Sequence, residues 1–550
     1  MLRIVAGLRS SCRGFRVPVW PALVAVAALA LLSAHLLGVS AAQTTPRSDS
    51  AGAEIPRRGG TLIYGRGGDS VNLDPAHAID GESLKIADNV FDTLVRYRLG
   101  TTELEPALAT SWEVSKDGLA YTFHLRRGVT FHDGTPFDAD AVIFSLARQL
   151  DPRHPFHKVG GRYLYWDAMR MADIVERLEA LDPYRVRITL KQPEAPFLAN
   201  LGMNFAAIVS PAAARRYGET FSSHPVGTGP FIFERWRKDD RIELRANPSY
   251  WEGRPYLDRL IFRSIPDNSV RYLELRGGAI HIMEFPNPDD LPLIERDRSL
   301  QLLSQPGMNV GYLALNTRRP PFDNPLVRRA VNHAINKEAL VQVVFGGRAQ
   351  PAVNPLPPVI WGYHDGIAAY AYDPARARRL LAEAGLPNGF PAALWAMTVP
   401  RPYMPDGLKA AEAIRADLSQ VGVTARIVTY EWGTYLAKTR NGEHDMALLG
   451  WTGDNGDPDN FLAVLFEATS NANIAFYQNA ELQDLLQRAK RSTAQTVREG
   501  LYRRAQEIIH GDAPWVPLAH AVQVLPMRRN VQGFVLEPTG KRRLHRTWLR

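Results

Sequence analysis

The chain has 550 residues, 45% of them hydrophobic and 22% charged, and a formal net charge of +8. Those proportions exclude a disordered or fibrous protein, and the length exceeds one ordinary core, so two or three domains are expected. The charge excess is too slight to imply nucleic acid, the more so because four arginines and no acids precede residue 43, and without them +8 falls to +4.

Arg3, Arg9, Arg13 and Arg16 stand before an apolar stretch, "ALVAVAALALLSAHLLGV" (22–39), which runs into the small-residue site "SAAQ". That pattern reads as a secretory signal peptide over residues 1–42, cleaved after Ala41 or Ala42, with an uncleaved membrane anchor as the alternative. The single cysteine, Cys12, lies ahead of the apolar core, where no lipid anchor can form. The mature chain would then have no disulfide, no zinc–thiolate site and no cysteine nucleophile. Residues 43–58 are polar and read as a flexible lead-in.

From "GGTLIYGR" onward, short β-branched or aromatic runs alternate with helical periodicity, which predicts α/β architecture. "RHPFHK" spaces His154 and His157 loosely like metal ligands, but no third ligand is evident, and surface histidines are expected. In "DNPLVRRAVNHAINKEAL" Asn324 caps a helix, Pro325 suits its first position, and Val327, Ala330, Val331 and Ala334 form its apolar stripe. Asp373, Pro374 and Gly385 give a second helix the same cap, first turn and stop.

The stretch 392–461 carries more. "AALWAMTV" (392–399) predicts a buried strand, broken by the loop "RPYMP". A helix follows with Asp406 as cap, Leu408, Ala411, Ile414 and Leu418 inward, and Gly422 as stop. "VTARIVTY" predicts a second strand, "EWGTYLAKTR" a second helix, Asn441-Gly442 a turn, and "MALLGW" a third strand ending at Trp451. This β-α-β-α-β order predicts a right-handed parallel sheet, whose ligands gather beyond the carboxyl ends of the strands. The C-terminal "GKRRLHRTWLR" is expected to be a solvated basic terminus.

Directly after the third strand comes "GWTGDNGDPDNF" (450–461), with Asp454, Asp457 and Asp459. A solvated turn, a metal site, acid/base chemistry and capture of a cation all compete for it. Counted as an EF-hand from Asp454, the loop puts Asp459 where glycine is required and Leu465 where the closing glutamate belongs. No G-x-S-x-G, H-E-x-x-H or P-loop pattern is present, and a hydrolase has no nameable nucleophile. The loops carrying Arg401 and Asp454 should emerge at the same sheet edge, roughly 5 to 10 Å apart. A dipeptide spans roughly 7 Å between its charged ends. The pair suits a zwitterion, with the ammonium at Asp454, the carboxylate at the planar fork of Arg401, and Trp451 covering both. A surface-loop arginine is the plain alternative for Arg401.

With "YTFHLRRGVTFHDG", "QPEAPFLANL", "VGTGPF", "MNVGYLALN", "WAMTVPRPYMP", "VTYEWGTYLAK" and "GWTGDNGDPDNF", the chain from about residue 59 to the end resembles the periplasmic dipeptide-binding proteins of peptide ABC importers, within solute-binding protein family 5. The resemblance implies a two-lobed α/β periplasmic binding protein fold (type II, cluster C) with an extra domain. Lobe I would comprise 59–78, 229–307 and 525–550, the extra domain 79–228, and lobe II 308–524. It implies ligand contacts at Asp454 (peptide amine), Arg401 (peptide carboxylate), Trp451, Tyr403 and Gly453, with "HAIDGE" (77–82) against the peptide backbone. It further implies a monomeric, non-enzymatic periplasmic receptor with no cofactor or metal, serving an inner-membrane permease. Glutathione, haem or 5-aminolevulinate is an alternative cargo within the family, and a secreted hydrolase the alternative outside it.

Overall fold

Strand Trp515–Arg528 is the element on which the architecture turns. In the computed structural model, which describes residues 55–550, its first half pairs with Asn309–Leu315 and its second with Leu300–Pro306 and Ile282–Met283. The signal peptide and most of the lead-in lie outside the described residues. Around this strand a 12-stranded sheet is continuous. On one side run Asn309–Leu315, Met446–Thr452, Pro391–Trp395 and Thr424–Val428; on the other run Thr61–Arg66, Arg259–Ser264, Arg241–Ala246 and Phe231–Arg237. The α/β expectation is met.

Three large apolar cores hang on this frame. One gathers Met308 through Ala521 around the first half of the long strand. A second draws only on residues between Ala76 and Ile208 and backs a four-stranded antiparallel sheet. The third unites Leu62, Val90, Phe262 and Leu525 with the C-terminal Leu544. Burial of this kind contributes about 25 cal/mol per Å², so each core is an independent source of stability.

Helix signals act as their chemistry predicts. Asn324 accepts a hydrogen bond from the Leu326 amide at 2.9 Å, Asp373 from Arg376 at 2.8 Å, and Asp406 from Lys409 at 2.9 Å. Strand 391–395 is shorter than expected because the chain turns away after Ala396, whose amide still reaches Val428. Leu408 is a correction: it is 44% exposed, while Gly407 and Ala410 face inward. The first turn of that helix presses on Met397, and a Cβ at Gly407 would come within 2.4 Å of the Met397 carbonyl oxygen.

Two further expectations fail. The C-terminal basic cluster is not a solvated terminus. Arg542 Nε donates to Glu284 at 3.2 Å and Tyr64 at 3.1 Å, and Arg543 Nε donates to the fully buried Glu537 at 2.8 Å. Glu284 comes from a distant segment and Glu537 from six residues upstream of Arg543, and both pair charges that would otherwise be costly to bury. His154 and His157 are half-buried rather than surface residues, packed against Phe144 and Tyr163 respectively. Among the described residues no group of three potential metal ligands forms, and no helix is long and apolar enough to cross a membrane.

Candidate functional site

Strand Pro391–Trp395 runs parallel to both Thr424–Val428 and Met446–Thr452, with Leu394 opposite Met446 and Trp395 opposite Ala447. The loops carrying Arg401 and Asp454 therefore leave neighbouring strands at the same sheet edge. Because the strand through Ala447 continues to Thr452, it overhangs its neighbour. The Arg401–Met404 turn fills that space. Its ends are joined by reciprocal backbone hydrogen bonds of 3.0 and 2.9 Å, and the Tyr403 ring packs against Gly450. A Cβ at Gly450 would fall 2.1 Å from that ring, so glycine is required there. Burial pushes the Tyr403 hydroxyl up to about 12, with the Arg401 cation pulling the other way. Arg401 itself is half-buried, its guanidinium 4.7 Å from the centre of the Trp432 ring.

At the other strand end, the Asp454 amide donates to Asn460 Oδ1 at 2.8 Å, and Trp451 Nε1 donates to the same oxygen at 3.2 Å. The Gly453 amide donates to the Met308 carbonyl at 2.9 Å, and a Cβ at Gly453 would meet the Phe461 ring at 2.6 Å. The loop is thus fixed before any ligand arrives. The Asp454 carboxylate accepts one hydrogen bond from another core, from Tyr165 Oη at 3.2 Å. Desolvation pushes its carboxyl up to about 6, against the opposing contacts of Tyr165 and Asn460.

The three aspartates of this loop have different fates. Asp457 is locked to Arg498 by two hydrogen bonds of 2.8 and 2.6 Å, both side chains buried. Asp459 sits in a buried group with Lys490, whose Nζ is 4.0 Å away and 2.7 Å from Glu467; burial raises the Asp459 carboxyl to about 6. Asp454 has no cationic partner among the described residues, and Arg401 no acidic one. A buried charge without a partner is costly, and a ligand of opposite charge relieves that cost.

Asp80, in the 77–82 segment, caps helix Gly81–Val90 through the Ser83 amide at 2.8 Å and contributes to the negative field at Tyr165. Sequence reasoning missed Tyr165, Trp432 and Asn460. Asn460 lies inside the quoted loop, six residues from the Asp454 amide that it accepts, so its type and nearness were visible though its role was not. Tyr165 had none, because 289 residues separate it from Asp454.

The sequence profile of the bacterial extracellular solute-binding proteins, family 5, matches residues 103–473. The chain belongs to that family. It is 43% identical over 516 residues to heme-binding protein A of Haemophilus influenzae, covering 91% of this chain and 93% of that one. Against the dipeptide-binding protein of Escherichia coli the identity is 42% over 497 residues, covering 88% and 93%. Among solved structures, the ABC transporter-associated periplasmic binding protein DppA of Helicobacter pylori, in complex with the peptide STSA, is 44% identical. It superposes with a TM-score of 0.76 over 90% of this chain and 98% of that one. Family membership carries with it the two-lobed solute-binding fold.

Proposed function

We propose that this chain is the substrate-binding component of a peptide ABC importer. It captures dipeptides in the periplasm by their charged termini and delivers them, chemically unchanged and as a monomer, to an inner-membrane permease. The observation that carries the reading is the pair of unpartnered opposite charges, Asp454 and Arg401, on loops from neighbouring parallel strands. Tyr403 packs on Gly450, and the four residues from there to Asp454 span about 13 Å of extended chain. An outstretched Arg401 would leave a gap on the order of the ~7 Å between the ends of a dipeptide. Trp451 and Gly453 would form the wall between the two grips, and Tyr403 the base of the second.

In this reading residues 308–524 form lobe II, 59–78, 229–307 and 525–550 lobe I, and 79–228 the extra domain, with residues 1–42 removed on export. The polypeptide enters the Met308–Ala521 core at Gly307 and leaves it at Val522, which supports a hinge at that double crossing. Calorimetry with free, N-acetylated and C-amidated dialanine tests the assignment. Each blocked form should bind about 2 to 5 kcal/mol more weakly, the range for stranding one partner of a buried charge pair. Equal affinity for free and blocked dipeptides would end it, and accumulation of free alanine would show a hydrolase instead. The 43% identity to a haem-binding relative favours haem as a second cargo, which an absorbance titration of the same preparation decides.

A further inference from the structure

Residues 79–228 are joined to their two neighbours in opposite ways. Toward the segments read as lobe I the join is apolar: Phe91, Phe144, Ala207 and Val209 share one core with Leu62 and Phe262. Toward residues 308–524 it is polar. The Ala76–Ile208 core and the Met308–Ala521 core draw on separate stretches of chain, and hydrogen bonds cross between them. A shared apolar core moves as one body, whereas a small polar contact is the kind that parts.

The crossing bonds fall on the loop of Asp454. The Asn455 side chain accepts from the Asp457 amide at 2.9 Å, which leaves Nδ2 for a partner outside the loop; Nδ2 donates to Asn200 Oδ1 at 2.8 Å. The two asparagines are buried, Asn455 2% and Asn200 5% exposed. The next amide, that of Gly456, donates to Tyr97 Oη at 3.4 Å, and this hydroxyl donates to the Ala199 carbonyl at 2.8 Å. Gly456 is seated so closely that a Cβ there would lie 2.6 Å from Thr102 Cβ. Further along, the Ala195 amide donates to the Lys490 carbonyl at 2.7 Å. Beside that bond the contact carries a cost. Burial and the fields of Asp459 and Glu467 push the Glu194 carboxyl up to about 8, against Lys490 and Arg498. A few hydrogen bonds thus hold the two sides together while crowded acids oppose them.

We propose that the extra domain is the retaining jaw of the site: Asn200 and Tyr97 latch the Asp454 loop at Asn455 and Gly456 when the cleft shuts, and let it go when the cleft opens. Both are positioning residues. They act on ligand through Asp454 and govern how long it is held. The proposal rests on the reading of residues 308–524 as the lobe that swings and of Asp454 as the ammonium partner.

The first test needs no ligand. A Cβ at Gly118 would lie 3.0 Å from Thr493 Cγ2, across the same contact, which is within reach of a disulfide. Cys12 is the only cysteine of the chain, so Gly118→Cys with Thr493→Cys in a Cys12→Ser background leaves one pair to oxidise. Small-angle X-ray scattering of the ligand-free protein should give a smaller radius of gyration oxidised than reduced, the reduced form being its own control. Equal radii, or a disulfide that does not form, overturn the proposal. In the second arm, the same protein oxidised after loading with dialanine should release it at least tenfold more slowly than when reduced, and oxidised while empty should take it up at least tenfold more slowly. Unchanged rates show that residues 79–228 travel with residues 308–524, and overturn the latch.

The third arm separates a latch from packing. Asn200→Ala strands one buried donor only in the shut form, so dialanine dissociation followed by stopped flow should accelerate about tenfold while association and the ligand-free melting temperature hold. Asn200→Ala combined with Asn455→Ala should release no faster than the faster single variant, because the two share one bond. A lowered ligand-free melting temperature with unchanged dissociation makes Asn200 a packing residue and refutes its role. If dialanine fails to bind the unsubstituted protein, the peptide reading falls, and the scattering arm decides the latch.

Discussion

The two ends of the site are built differently. Asp454 stands on a loop in which its own amide and the Trp451 indole are committed to Asn460 and the Gly453 amide to Met308, and a second core touches it through Tyr165. Arg401 stands on a short turn, half-buried, its guanidinium against the face of Trp432 and its reach set by a flexible stem. A fixed, desolvated carboxylate defines where a ligand must begin. An arginine on an aromatic ledge can follow where it ends, because a planar fork grips a carboxylate over a range of positions.

The largest effect that would break this contrast is at Asp454. Asp454→Asn should cost about 2 to 5 kcal/mol in dialanine affinity by calorimetry, since the ammonium would be desolvated without a counter-charge. The same change should raise the melting temperature of the ligand-free protein. The carboxyl is raised from 3.8 to about 6 in the folded state. A raised carboxyl favours folding at low pH and opposes it once ionised, so at pH 7 the aspartate costs on the order of 1 to 3 kcal/mol of stability. Affinity and stability falling together would make Asp454 a structural residue.

At the other end, Arg401→Gln should weaken binding by about 1 to 3 kcal/mol, the worth of hydrogen bonds to a charged group, with no change in melting temperature. A loss as large as that at Asp454 would erase the asymmetry. Proton linkage sharpens it further. Asp454 must be ionised to hold an ammonium, so dialanine affinity should hold above about pH 6 and decline by roughly tenfold at pH 5, with proton release on binding. Asp454→Asn should flatten the profile, because it removes the group that ionises there. The smallest effect is at the ledge: Trp432→Leu should cost about 0.5 to 1 kcal/mol, the value of an exposed cation–π contact.

Much of the site's frame was legible because its signals are local. Asp406, Asn324 and Asp373 cap amides two or three residues away, and the order of apolar runs from Ala392 to Trp451 defines a parallel sheet whose neighbouring strands carry Arg401 and Asp454. Periodicity was less secure where small residues share a helix face: Leu408 took the solvent side because the backbone at Gly407 approaches Met397.

What the sequence determined alone, then, is the set of turns, caps and strand order that brings an acidic loop and an arginine turn to one edge, since hydrogen bonds within a few residues need no distant partner. Tertiary structure decided which charge is left for a ligand. Asp457 is neutralised by Arg498, 41 residues on, Asp459 lies in the field of Lys490, and the terminal Arg542 and Arg543 are drawn inward by Glu284 and Glu537. Three like aspartates in one loop differ only in what the rest of the chain places beside them, because the energy of a buried charge is set by its nearest partners in space.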